Sequence, residues 1–303
     1  MLLLNCSRKL ASLEKLLLKN FPESLKVYGT IFHINRGNPF NLETLVDAWP
    51  DFRTVITRPP QQERIDDLDS YTNSYYMFTQ DMKGLHEILE NTDSVDWTQV
   101  LQIQGLQSGL DEVIRSTAAT KKVKVETAKR LLYVKEESLI RCLNSEHHAT
   151  FEKPVQPAKI TVCKSGLQHV FQFSSLSPSY AELVNAGWGF GQTEKSLRYI
   201  QRCLRLLPSA CLLDAAGNPS AVGLMDQSAE LRMGYTLPEY RRMGLFMHLL
   251  WAFEDSLAQP DLPFYLHMAE GNKLVKGSTE KAGYRYANCG WYQWNCQPLR
   301  SVL

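Results

Sequence analysis

The feature that most constrains this chain is a strand that hands over to a helix within residues 230–257. Glu230-Leu231-Arg232-Met233-Gly234-Tyr235-Thr236 reads as the strand, and Leu245, Phe246, Leu249, Leu250, Phe253 and Leu257 then recur at the spacing of one helix face. Between them lies the turn Leu237-Pro238-Glu239-Tyr240-Arg241-Arg242-Met243-Gly244. A strand that ends this way aims the first N–H groups of the helix at one point, which makes an anion site. Gly244 allows close approach to the backbone, and Arg241 and Arg242 each add charge-assisted hydrogen bonds of about 1.5–3 kcal/mol before screening. In isolation Arg-Arg-Met-Gly is an ordinary solvated helix start.

The surrounding pattern supplies the context. A strand near His169–Phe173 leads to helices at Pro178–Ala186 and Thr193–Leu206, the latter burying Leu197, Ile200, Cys203 and Leu204. Strands follow at Ala210–Leu213 and, after the turn Ala216-Gly217-Asn218-Pro219, at Ser220–Met225. Beyond the helix from Gly244 come a strand at Phe264–Met268, a short helix at Lys273–Ala282, and closing strands at Tyr284–Ala287 and Trp291–Cys296. The first half reads as α/β too. It opens with an amphipathic helix through Leu10, Leu13, Leu16, Leu17 and Phe21, followed by strands at Lys26–Asn35, Phe52–Thr57 and Ser74–Thr79. Helices at Met82–Glu90 and Leu110–Thr117 and strands at Val123–Val125 and Leu131–Val134 complete it.

With 303 residues the chain fits two domains, and the pattern fades between Asn144 and Lys159, past His147, His148, Pro154 and Pro157. The division is therefore expected as 1–150 and 151–303. Thirty-three basic against 32 acidic residues leave no field that favours nucleic acid, and no apolar run is long enough to span a membrane. Seven scattered cysteines without a C-x-x-C pair fit buried thiols, and no metal-ligand spacing occurs. The N-terminal helix is expected to pack on its own domain, with a cleaved presequence as the competing reading.

The order of the second half, with Arg241-Arg242-Met243-Gly244-Leu245-Phe246, Asn272 and Lys281-Ala282-Gly283-Tyr284, resembles the Gcn5-related acetyltransferase fold. Its pyrophosphate loop ends in a small residue where this chain has Phe246, and a frequent tyrosine acid is replaced by Thr279, so no general acid is assigned. A narrower likeness rests on Ser24-Leu25-Lys26-Val27-Tyr28-Gly29, Gly37-Asn38-Pro39-Phe40-Asn41, Trp49-Pro50-Asp51, Asp69-Ser70-Tyr71-Thr72-Asn73 and Leu101-Gln102-Ile103-Gln104. It continues through Leu183-Val184-Asn185, Glu194-Lys195-Ser196, Met225-Asp226-Gln227, Glu230-Leu231-Arg232-Met233, Leu237-Pro238-Glu239-Tyr240-Arg241 and Trp294-Asn295-Cys296. Over nearly its whole length the chain is thus similar to the glycine N-acyltransferase family.

That resemblance implies tandem Gcn5-related α/β domains with mixed sheets, the N-terminal one degenerate, and acyl-CoA as cosubstrate with no permanently bound cofactor. It implies transfer of the acyl group to the amine of glycine, with glutamine as the alternative acceptor, and a monomer in the mitochondrial matrix, with cytoplasm or endoplasmic reticulum as alternatives. An amino-acid amine is mostly protonated near neutral pH and needs a base before it attacks a thioester. Glu230 matches the position that the family implies for that base; a structural ion pair with Arg232 is the competing reading of the residues. Met233, Arg241, Arg242, Met243, Gly244, Leu245, Phe246 and Asn272 are the expected coenzyme A contacts, Asn272 also being read as a helix cap. A backbone N–H near Met233 is expected to polarise the thioester carbonyl.

Asp226 and Glu239 read as a turn acceptor and a helix-start charge. Trp291, Tyr292 and Trp294 read as core packing. The glycines Gly187, Gly189 and Gly191 read as a loop bordering the acceptor site. A catalytically impaired acyl-CoA-binding protein is the alternative from another functional class.

Overall fold

A computed structural model describes residues 1–144, 159–256 and 262–299. In chain order these form β1 (Leu2–Leu4), α1 (Ser7–Leu18), α2 (Leu25–Asn35), β2 (Glu43–Val46), β3 (Thr54–Arg58), β4 (Ser74–Thr79), α3 (Met82–Asn91), β5 (Leu101–Gly105), α4 (Leu110–Thr120), β6 (Val123–Val134) and α5 (Glu136–Asn144). They continue with β7 (Lys159–Lys164), β8 (Leu167–Ser174), α6 (Ala181–Gly187), α7 (Glu194–Leu206), β9 (Ser209–Leu213), β10 (Pro219–Met225), β11 (Leu231–Thr236), α8 (Leu245–Ser256), β12 (Tyr265–Met268), α9 (Lys273–Lys281) and β13 (Arg285–Pro298). No helix among the described residues is long and apolar enough to cross a membrane. The proposed linker with His147 and His148, and the last stripe residue Leu257, lie outside the described residues.

The chain divides into two compact units, Met1–Leu132 with Ala287–Leu303, and Tyr133–Tyr286. The closing aromatic strand, expected in the second domain, therefore packs in the first unit. There the strands lie in the order β1-β2-β3-β4-β5-β13, mixed because β4 and β5 run parallel. In the second unit the order is β12-β11-β10-β9-β8-β7, again mixed because β11 and β12 run parallel. Both units thus repeat a β-hairpin followed by a β-α-β crossover, which makes the fold a tandem one. Tyr292 and Trp294 stack at 5.5 Å inside the apolar cluster of the first unit, as expected of core packing.

Several local expectations are corrected. Lys26–Asn35 is not a strand but helix α2. Every residue from Leu25 to His33 is buried, so this stretch has no solvent face, and its polar residues Lys26, Thr30 and His33, although at helical spacing, lie inside as well. Its β-branched and aromatic residues then imitate a buried strand. The pieces Val123–Val125 and Leu131–Val134 are one strand, β6, and Tyr284–Ala287 and Trp291–Cys296 are one strand, β13. Gly290 lies inside β13, where the ring of Tyr292 covers its Cα and leaves no room for a side chain.

Candidate active site

Glu230 closes a tight turn immediately before β11. Asp226 shapes that turn: its Oδ1 accepts from Ser228 N at 2.8 Å, Ser228 Oγ at 2.6 Å and Glu230 N at 3.1 Å, while Ala229 takes a left-handed φ of 62°. Asp226 is thus the turn acceptor that the sequence indicated. Its Oδ2 also accepts from Arg232 Nη1 at 3.2 Å. Arg232 Nε lies 3.9 Å from Glu230 Oε2, so the two residues share a face as strand alternation requires. Arg232 divides its charge between two carboxylates, and Asp226 is the closer.

His267, on the neighbouring parallel strand, places Nδ1 2.5 Å from Glu230 Oε1. The register Leu231↔Leu266 sends Glu230, Arg232, Tyr265 and His267 to one side of the sheet. Glu230 is fully buried, whereas His267 retains a 10% exposed side chain. Tyr265 Oη donates to Ser228 O at 2.5 Å and fixes the turn from below. No sequence motif indicated His267; the sequence offered only its place in the strand expected at Phe264–Met268.

The loop with Gly187, Gly189 and Gly191 borders this group. Asn185 ties it down, its Oδ1 accepting from Gln192 N at 3.0 Å and from Ser196 Oγ at 2.6 Å. Trp188 and Phe190 then stand over the Arg232 guanidinium at 5.4 and 5.7 Å, and Phe190 packs edge-on against His267 at 6.1 Å.

Past Arg232 the strand changes course. Register with β10 passes from Leu224↔Arg232 to Val222↔Tyr235, which places both Met233 and Gly234 against Gly223. Met233 has a φ of 56°, so this is a β-bulge that turns its backbone out of the regular ladder. Among the described residues β11 pairs with β12 only at Leu231↔Leu266, on the near side of the bulge.

The turn beyond is braced from three directions. Tyr240 Oη donates to Asp214 Oδ2 at 2.7 Å, Arg241 Nε to Thr236 O at 3.1 Å, and Lys164 Nζ to Glu239 O and Arg241 O at 3.2 and 3.3 Å. Arg241, Arg242 and Gly244 are exposed, Met243 and Leu245 buried. Gly244 has a φ of 73° and nothing within 4 Å of where a Cβ would stand, so it serves backbone conformation beside open space. The helical ladder starts with Met247 and His248 donating to Gly244 O, which leaves the preceding N–H groups aimed outward.

Phe246, the departure from the small-residue pattern, fits because Gly234 has no side chain: a Cβ there would meet Phe246 Cε2 at 2.8 Å. Asn272 caps α9, its Oδ1 accepting from Val275 N at 3.2 Å. Thr279 is buried. All seven cysteines are free thiols. In the second unit burial raises the Cys203 thiol and pushes Cys211 up to about 11.

Comparison with known proteins gives the family and the fold. The family described as aralkyl acyl-CoA:amino acid N-acyltransferase matches residues 1–208, and the C-terminal region of the same family matches residues 210–298. Glycine N-phenylacetyltransferase of Bos taurus is 47% identical over 290 residues, covering 96% of this chain and 97% of that protein. Glycine N-acyltransferase of Bos taurus is 43% identical over 299 residues, covering 99% and 100%. A Drosophila protein of known crystal structure shares the fold with a TM-score of 0.71 at 16% identity, each chain being covered to 99%.

Proposed function

The chain belongs to the aralkyl acyl-CoA:amino acid N-acyltransferase family, and from that premise we propose that it transfers an acyl group from coenzyme A to glycine by direct attack, with Glu230 as general base. The observation that carries this reading is a fully buried carboxylate fixed at the start of the strand whose bulge leads into the helix-start anion site. The outward N–H groups at Gly244 and after, with Arg241 and Arg242, would hold the pyrophosphate. The backbone N–H of Met233, turned by the bulge, would polarise the thioester carbonyl. Glu230 would take one proton from the acceptor ammonium, the free amine would form the C–N bond at the thioester carbonyl as the C–S bond breaks, and the second nitrogen proton would leave with the departing thiolate as coenzyme A thiol.

Glycine is favoured over glutamine because Trp188 and Phe190 crowd the side where an acceptor would lie beside Glu230. A covalent acyl-enzyme is disfavoured by the raised thiols of Cys203 and Cys211, which carry little thiolate at neutral pH. The first unit is read as the degenerate partner. At its corresponding strand-to-helix turn, the Asp81 carboxylate accepts from Gly84 N at 2.9 Å and occupies the start of α3 with negative charge. A phosphate would be repelled there. Residence in the mitochondrial matrix is part of the same proposal, and subcellular fractionation tests it.

The experiment is thiol release from a set of acyl-CoA donors against glycine and glutamine, with Glu230→Gln alongside. Loss of the base lowers kcat by about 10²–10⁴-fold near neutral pH, with recovery at alkaline pH as the amine deprotonates unaided. A Glu230→Gln enzyme with full rate at neutral pH refutes the assignment. Labelled acyl group retained on denatured protein refutes direct transfer.

A further inference from the structure

The contact between His267 and Glu230 has no part in the reading given so far. The base role requires an ionised carboxylate, which is an acceptor only, and in that state the hydrogen of the 2.5 Å contact has to sit on His267 Nδ1 and be donated to Oε1. Burial penalises the charged form of Glu230, and Arg232, 3.9 Å away, is shared with Asp226 at 3.2 Å. His267 cannot swing aside, since its strand is held by the Leu231↔Leu266 register and its ring packs against Phe190. The other titratable groups around the pair are Arg232 on β11, Asp226 in the preceding turn, Tyr265 on β12 and Cys203 on α7.

The geometry assigns His267 as the positioning residue of the acyl transfer: its Nδ1–H holds Oε1, stabilises the carboxylate in its charged form and turns Oε2 toward the incoming amine. This deepens, and rests on, the reading of Glu230 as base. It is the arrangement in which a base is itself oriented by a third group. Oε1 is committed to the imidazole, and Oε2 receives the proton from the ammonium, leaving a neutral carboxylic acid and a free amine.

The test compares His267→Asn, His267→Gln and His267→Ala in the full chain. The Asn amide nitrogen stands about where Nδ1 stands, whereas the Gln amide reaches about to Nε2. His267→Asn is expected to keep kcat within about fivefold of the parent, whereas His267→Gln and His267→Ala lose about ten- to a hundredfold. In those two variants the acid limb of the kcat–pH profile moves up by about one unit, because the donor to the charged carboxylate is gone. KM for acyl-CoA stays within about twofold, since the coenzyme turn is not touched.

Equal loss in all three variants with an unmoved acid limb makes His267 merely structural and overturns the assignment. So does a His267→Ala enzyme with the parent rate and profile while Glu230→Gln is impaired. A Glu230→Gln enzyme with the full rate fails one step earlier, at the base itself, and the two failures are thereby distinguished. If His267→Ala does not fold, the contrast between the Asn and Gln variants still decides.

Discussion

Removing the Asp226 carboxylate tests whether one buried side chain builds the base. Truncation in Asp226→Ala leaves the N–H groups of Ser228 and Glu230, the Ser228 hydroxyl and one arm of the Arg232 guanidinium without the acceptor that the structure gives them. Breaking a buried ion pair from one side costs about 3–5 kcal/mol, and an orphaned buried N–H about 1–3 kcal/mol. These terms share one cavity and do not add, and Arg232 has Glu230 within 3.9 Å as a second partner, so about 3–5 kcal/mol is the whole expected loss. At roughly 2–4 °C per kcal/mol for chains of this size class, Tm falls by roughly 6–20 °C. Asp226→Asn keeps the Oδ1 acceptor of the turn but sets an NH2 group against Arg232 Nη1, so it loses less than the truncation, about 1–3 kcal/mol. Activity falls in both, since Arg232 closes on Glu230 and makes it a weaker base. Thermal and urea unfolding of both variants, with kcat on the same preparations, measure this. A loss under about 1 kcal/mol in Asp226→Ala, or equal losses in the two variants, refutes the reasoning.

Two further outcomes follow from the coenzyme turn. Arg242→Ala, at an exposed position, weakens coenzyme A binding by about tenfold in low salt, less in high salt, and leaves Tm unchanged; titration calorimetry at two ionic strengths checks it. Tyr240→Phe removes the 2.7 Å bond to Asp214, whose carboxyl lies below its usual range although burial opposes this, because Tyr240 and the N–H groups of Asn218 and Ala216 bond it. A carboxyl depressed on folding adds stability above its unfolded value near 3.9 and loses it as pH falls through the folded value. The variant is therefore less stable than the parent at pH 7, by under about 1 kcal/mol after screening, and the two converge near pH 2 in urea unfolding.

Legibility in the sequence followed the physics of each element. The helices α3, α7 and α9 were readable because each presents one face to a core and ends at a cap or turn, and the strands β4 and β10, buried on both faces, because each is a short run bounded by turn residues. Thr193 capping α7 and Gly283, with a φ of 89°, closing α9 are examples. Helix α2 was not readable, since it is buried from Leu25 to His33 and its β-branched and aromatic residues outweigh the few polar ones, Lys26, Thr30 and His33, that recur at helical spacing. The anion turn was visible from its cations and glycine. The tolerance for Phe246 was not, because it depends on Gly234, twelve positions earlier, meeting its ring in space.

By itself the sequence determined the repeated α/β character, the cations and glycine of the strand-to-helix turn and the carboxylate before it, because capping, periodicity and charge placement act between residues close along the chain. Only the tertiary structure decided that β13 packs with the first unit, that Met233 sits on a bulge, and that His267, 37 positions from Glu230, holds its carboxylate. Strand pairing sets which distant residues share one face of a sheet. That pairing is chosen by the packing of whole elements, so no local run of residues records it.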